Sequence, residues 1–151
     1  GERGEGMEEF LADYYATAID PDEVVLDIRV PAPSADAAGR YTRFRRTAAE
    51  HRPLVNVAPS VRRGGARSHE ARLVVGAPTP IPARVARAEA FLAGKAVTAE
   101  VAAGAGDIAS ADILAVSDSR GSEDYRRDMV RVVARRTIAR LFDLAIDGDK
   151  Q

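Results

Sequence analysis

The sequence predicts an α+β domain in which a small antiparallel sheet of three to four strands packs against helices, with a long C-terminal helix. Three observations predict it. Two apolar, alternating segments flank a glycine pair at Gly64-Gly65, which reads as a β-hairpin. A serine-capped amphipathic stretch begins after Ser122 and runs on without a break. The chain has 151 residues, 46% of them hydrophobic, a length at which folding buries roughly 70% of the unfolded surface.

Taken in order, "GERGEG" is charged and glycine-rich, with too little apolar surface to pack, so residues 1–7 are expected to form a flexible tail. Residues 8–146 then make one domain, and 147–151 a second tail. Phe10, Leu11, Tyr14, Tyr15 and Ile19 form a short apolar cluster before Asp20-Pro21, a turn signal. In "EVVLDIRVP", Val24, Leu26, Ile28 and Val30 alternate with Val25, Asp27 and Arg29, which predicts a half-buried strand ended by Pro31. "APSADAAG" reads as a loop, and "RYTRFRR" as a second strand.

"PLVNVAPSV" and "SHEARLVVG" are the arms of the hairpin, with Gly64 and Gly65 supplying positive φ at the turn. Pro59 removes a ladder donor, so an edge position or a bulge is expected there. "PTPIP" breaks the chain before a helix in which Val85, Ala88 and Leu92 share a face and Gly94 ends the helix. Thr98 caps the next helix, where Gly104 and Gly106 each cost about 1 kcal/mol relative to alanine, making it the least stable helix expected. In the last helix, Val130, Val133, Ala134, Thr137, Leu141, Leu144 and Ala145 gather on one stripe. Arg127, Arg131 and Arg135 border it as an i, i+4, i+8 row, answered in part by Glu123 and Asp128.

Composition excludes much. With 22 Lys+Arg against 23 Asp+Glu the net charge is −1, so nothing global steers the chain to nucleic acid or an anionic membrane. Arginine dominates the basic residues and alanine is abundant, a pattern of GC-rich coding that weakens arginine number as a functional signal. There is no cysteine, which removes disulfides, thiol catalysis and cysteine-ligated metals. No apolar run approaches a membrane span and no signal-peptide pattern opens the chain, so a soluble, cytoplasmic protein is expected.

Chemical motifs are sparse. His51 and His69 lie in unrelated segments, and no carboxylate loop has calcium spacing, so no metal site is expected. No Gly-x-Ser-x-Gly frames a nucleophile, and "GAGD" at 104–107 falls short of a dinucleotide fingerprint. "RRGGAR" reads as a turn with solvated arginines rather than an RNA-binding element. Tyr41, Arg43, Phe44, Arg45 and Arg46 interleave basic and aromatic residues, which suits nucleotide stacking and a half-buried strand equally. Arg127, Arg131 and Arg135 are expected to border a protein contact, within the subunit or across an assembly, because acids on the same helix repel a polyanion.

Four segments, "FLADYYATAIDPDEVVLDIRVP", "YTRFRRTAAEHRPLVNVA", "VVGAPTPIPARVARAEAFLAG" and "SDSRGSEDYRRDMVRVVARRTI", together resemble the C-terminal domain of the FAD-binding medium subunit of molybdenum hydroxylases, the carbon monoxide dehydrogenase and xanthine dehydrogenase family. The Pro-Thr-Pro before a helix and the Arg-Gly-Ser-x-x-Tyr-Arg-Arg that opens the last helix are its most specific pieces. The resemblance implies electron flow from molybdopterin through iron–sulfur clusters to FAD, with most FAD contacts made by two domains N-terminal to this one. It therefore implies FAD in the full subunit but none bound by this chain alone. As partners it implies an N-terminal FAD-binding half with iron–sulfur and molybdopterin subunits; a homo-oligomer stays open. It matches Arg45 to a basic position near the flavin, in front of a loop, "RTAAEHRPLVN", that carries Glu50, His51 and Arg52 where the family often has an acidic pair. The competing readings are a stand-alone module that binds a protein or small ligand, and a small enzyme built around Arg45 and His51.

Overall fold

In the computed structural model, which describes residues 1–145, a five-stranded antiparallel sheet carries three helices on one face. The chain opens with a short helix α1 (Met7–Phe10) and a small hairpin of β1 (Leu11–Asp13) and β2 (Ala16–Thr17), turned at Tyr15 with φ +57°. The sheet follows: β3 (Ala37–Gly39) and β4 (Thr42–Phe44) lie end to end along one side of β5 (Val55–Gly64), β6 (Arg67–Gly76) lies on the other side, and β7 (Ala83–Arg84) pairs with β6. Helices α2 (Ala86–Leu92), α3 (Ala99–Asp112) and α4 (Glu123–Leu141) complete the fold, α4 over β5, α2 over β6 and α3 against both helices.

The expected α+β architecture is present. The core joins Val55, Val57, Val61, Leu73 and Val75 to the helix faces of Ala88, Leu92, Ala105, Val130, Ala134 and Ile138. Alternation in β5 and β6 turns Ser60, Arg62 and Arg72 to solvent, as an antiparallel sheet covered on one face requires.

The expected strand at 23–31 is absent. Residues 24–30 belong to no strand and are exposed throughout. Conversely β3 forms inside a stretch that reads as a loop, because Ala37 to Gly39 find a ladder on β5 that local sequence does not announce. At the hairpin tip Gly65 has φ +63°, whereas Gly64 is the last strand residue, opposite Arg67. Pro59 sits in a central strand instead of an edge. Its carbonyl accepts from Arg40 N (3.0 Å) at the break between β3 and β4, where no ladder acceptor awaits the N–H it lacks. The β5–β6 register shifts immediately after it, between Ser60 and Arg62.

The helix caps match expectation: Thr98 accepts from Val101 N (3.3 Å), Ser122 from Tyr125 N (3.2 Å), and Gly94, just beyond α2, has φ +73°. The last stripe is wider and shorter than its sequence suggests. Ile138 and Ala139 are buried too, while the helix stops at Leu141, leaving Leu144 packed beside the core and Ala145 exposed beyond it. Leu141 is buried against the core, so Leu141→Ala is expected to cost about 2–3 kcal/mol by urea denaturation, reduced from a central site by its place in the last turn.

Gly104 and Gly106 acquire a packing reason. A Cβ on Gly106 would lie 2.7 Å from the Arg131 carbonyl, and one on Gly104 2.9 Å from the Phe91 ring. The Arg131 carbonyl is backbone of α4 and cannot swing away. Gly106→Ala is therefore expected to destabilise the protein by about 1–3 kcal/mol through overpacking, the opposite sign to its gain in helix propensity. A rise in melting temperature would refute this.

The N-terminal seven residues make contacts: Arg3 ion-pairs with Glu23 (2.7 Å) and Glu5 and donates to the Ala18 carbonyl. The hydrogen bond from Arg3 brings the Glu23 carboxyl down to about 2. The expected tail at 147–151, and the domain limit at 146, lie outside the described residues.

Candidate functional site

The two sequence motifs singled out above meet in space. Helix α4 begins at a doubly capped turn, with Ser122 Oγ accepting from Tyr125 N and Ser117 Oγ from Glu123 N (2.9 Å). Its first turn aims Arg126 inward, where the side chain is only 2% exposed. Arg126 Nη1 donates to the Ala77 carbonyl (2.9 Å), and Nη2 lies 2.6 Å from Asp118 Oδ1. Asp118 also accepts from Arg120 N (2.8 Å) and Arg120 Nη2 (2.7 Å). Burial alone would raise the Asp118 carboxyl; Arg126 and Arg120 outweigh it and hold the group far below the usual carboxylate range.

This knot fixes a loop. Ala77 has φ +75°, a conformation that costs a non-glycine residue stability unless its surroundings hold it. Arg126 grips the Ala77 carbonyl, Val116 N donates to the Pro78 carbonyl (2.9 Å), and Thr79 Oγ1 donates to the Ile81 carbonyl (2.6 Å). The Pro-Thr-Pro segment is thus a rigid wall tied to the Arg-Gly-Ser-x-x-Tyr-Arg-Arg segment.

An open groove lies on each side of this wall. One, of about 590 Å³, runs past Ala12 and Asp13 to α2 and Leu114. The other, of about 310 Å³, is lined by Tyr14, Tyr15, Arg52, Asn56 and Arg120. Here the Tyr14 and Tyr15 rings meet edge to face at 4.4 Å, and the Arg52 guanidinium lies 5.4 Å from the Tyr15 ring centroid. Aromatic faces and two arginines in a shallow groove suit one face of a planar, electron-rich or anionic group.

Arg45 does not line either groove. Its Nη1 donates to the Ala48 (2.8 Å) and Glu50 (3.2 Å) carbonyls, Arg46 ion-pairs with Glu50 (2.5 Å), and Arg43 donates to the His51 carbonyl. These arginines shape the loop, and Arg52 and Pro53 are what the loop presents to the smaller groove. Arg127, Arg131 and Arg135 stand elsewhere on α4. Arg127 lies 3.8 Å from both Glu123 and Asp124, Arg131 pairs with Asp107 of α3 (3.2 Å) and Asp128 (3.0 Å), and Arg135 abuts Gly106. His51 lines neither groove, and among the described residues no group of His, Asp and Glu is arranged to hold a metal ion.

Sequence reasoning missed Arg126 and Asp118. Arg126 precedes Val130 by four residues and so occupies the apolar stripe itself, a position where an arginine needs a buried partner.

Among the described residues, a pyrophosphate of the kind FAD carries could meet the N-termini of two long helices, α3 and α4. Thr98 already takes the Val101 N–H of α3, Ser122 and Ser117 take the Tyr125 and Glu123 N–H groups of α4, and Glu100, Glu123 and Asp124 stand in the same first turns. A pyrophosphate would meet capped donors and like charge. "GAGD" lies in the middle of α3 and opens no helix.

Residues 39–141 match the family model described as the CO dehydrogenase flavoprotein C-terminal domain. The chain is 29% identical over 138 residues to the nicotine 6-hydroxylase medium subunit of Paenarthrobacter nicotinovorans and 27% identical over the same length to the carbon monoxide dehydrogenase medium chain of Hydrogenophaga pseudoflava. Each alignment covers 91% of this chain and 48% of the relative, so the chain spans about half the length of these proteins. The fold superposes on quinoline 2-oxidoreductase of Pseudomonas putida 86 with a TM-score of 0.83 at 26% identity, over 89% of this chain and 46% of that one. For the solved carbon monoxide dehydrogenase of Hydrogenophaga pseudoflava the TM-score is 0.82 at 29% identity, over 90% and 47%. The chain belongs to the CO dehydrogenase flavoprotein C-terminal domain family, part of the FAD-binding medium subunits of molybdenum hydroxylases.

Proposed function

We propose that this chain is the C-terminal domain of a flavoprotein subunit in which FAD, held mainly by a preceding half, receives electrons from iron–sulfur clusters and passes them to an acceptor. The observation that carries the reading is the match of nine-tenths of this chain to less than half of a carbon monoxide dehydrogenase chain. The domain's share of the work is structural: the wall of Ala77 to Pro82, braced by Arg126 and Asp118, with Tyr14, Tyr15 and Arg52 beside it, closes one side of the flavin environment. Arg45 acts there through the loop it shapes. Arg127, Arg131 and Arg135 border a contact with a neighbouring subunit, an extension of the ion pair that already joins Arg131 to α3. No helix among the described residues is long and apolar enough to cross a membrane, and a cytoplasmic site of action is part of this reading.

Fluorescence titration tests it. The chain alone is expected to bind FAD no tighter than about 100 μM, on the order of 5 kcal/mol, whereas the complete subunit should hold it stoichiometrically. A tight one-to-one FAD complex of the isolated chain would overturn the proposed division of labour.

A further inference from the structure

Residues 24–30, Val-Val-Leu-Asp-Ile-Arg-Val, combine two properties that conflict in a finished fold. Val24, Leu26, Ile28 and Val30 are 77%, 69%, 72% and 82% exposed, so the whole apolar side of the alternation faces water. Asp27 and Arg29, on the other side, pair with each other at 3.1 Å. Among the described residues, no backbone hydrogen bond involves residues 24–33. A β-branched segment with one wholly apolar side, the other holding Val25, Asp27 and Arg29, and with no backbone hydrogen bond among the described residues has the pattern of a strand without its sheet.

Nothing among the described residues supplies that sheet. The open face of β5 and β6 carries Ser60, Arg62 and Arg72, and β7, at the sheet's edge, is two residues long. The extent of the matches to its relatives points upstream. The family model begins at residue 39, after this segment. An alignment of 138 of the 151 residues cannot start later than residue 14, so the relatives carry a counterpart of 24–30. About half of each relative lies outside the alignment, and a C-terminal domain places that half upstream. A second copy of this chain is a poorer occupant: two such strands would make a two-stranded ribbon, marginal in water and still wet on its apolar face.

We propose that residues 24–30 form a β-strand of the preceding flavin-binding half, adding to a sheet edge there with Val24, Leu26, Ile28 and Val30 turned into that half's core and Asp27 and Arg29 to solvent. The inference rests on the flavoprotein reading above. The segment then joins the two halves by backbone pairing as well as by covalent linkage, and the Tyr14–Tyr15 hairpin just before it is held between them.

The test uses hydrogen exchange on this chain, alone and mixed with the flavin-binding half of the same subunit expressed separately. Alone, the amides of 24–30 should exchange as freely as a loop. In the mixture, at least alternate amides should slow by about 100-fold or more, the signature of pairing to one neighbouring strand. Leu26→Asp with Ile28→Asp should leave this chain's own melting temperature unchanged and weaken association by about 100-fold or more. Association with 24–30 still unprotected, or insensitive to the double variant, would overturn the strand while leaving the flavoprotein reading intact. Failure of the two halves to associate at all would count against both. Protection in this chain alone, appearing with a dimer by light scattering, would overturn it in favour of a second copy.

Discussion

Asp118→Ala is expected to cost about 3–5 kcal/mol of unfolding free energy, because it leaves the Arg126 guanidinium buried with no counter-charge. Arginine cannot escape by giving up its proton. Among the described residues, Nη1 keeps the Ala77 carbonyl, Nε has no hydrogen-bond partner, and Nη2 would lose the carboxylate 2.6 Å away. Arg126→Leu should cost less, about 2–3 kcal/mol, since Asp118 retains Arg120 and about a third of its own exposure. The double variant should then cost less than the two single costs combined, a coupling that a double-mutant cycle in urea would read directly. Strict additivity would show that the two side chains do not act as a pair.

The second large effect is at Glu89, a carboxylate 7% exposed inside the core. Its Oε1 accepts from Leu73 N (3.0 Å) and Arg84 Nε (3.1 Å), and Oε2 from Arg84 Nη2 (2.6 Å). The reason lies in the sheet. β7 pairs with β6 only at Val74 and Val75, so the N–H of Leu73 points past the end of β7, and Glu89 stands in for the missing strand. Glu89→Ala strips a buried amide of its acceptor and leaves Arg84 only its more distant pair with the exposed Glu8 (3.5 Å) among the described residues, at an expected cost of about 3–4 kcal/mol. A loss below about 1 kcal/mol would mean that water reaches Leu73 N.

Both carboxylates also set an acid limit. Burial by itself would raise Glu89, but Arg84 and the Leu73 amide overcome it and lower the group, as the two arginines lower Asp118. A carboxyl lowered by folding contributes its full stability above the unfolded value, about 4, and loses it as pH falls through the folded value. Stability should therefore drop steeply below pH 4. Glu89→Gln and Asp118→Asn should each flatten that slope relative to the parent.

The sequence by itself determined what depends on near neighbours. Ser122 as a cap and the i, i+4 stripe of Val130, Ala134 and Ile138 are set within one or two turns, so α4 was legible, as was the turn between β5 and β6. The ordered motifs also carried the family, though not the contact between them. Only the tertiary structure decided that Arg126 is the buried arginine, because its partners Asp118 and Ala77 lie eight and 49 positions away. It decided as well that Gly106 serves close approach, since helix propensity measures an isolated helix and knows nothing of the Arg131 carbonyl beside it. At 24–30 alternation specified which side chains need cover but not which chain provides it. Periodicity is a property of one segment, whereas burial is a property of two surfaces, and here the second surface is not within the described residues.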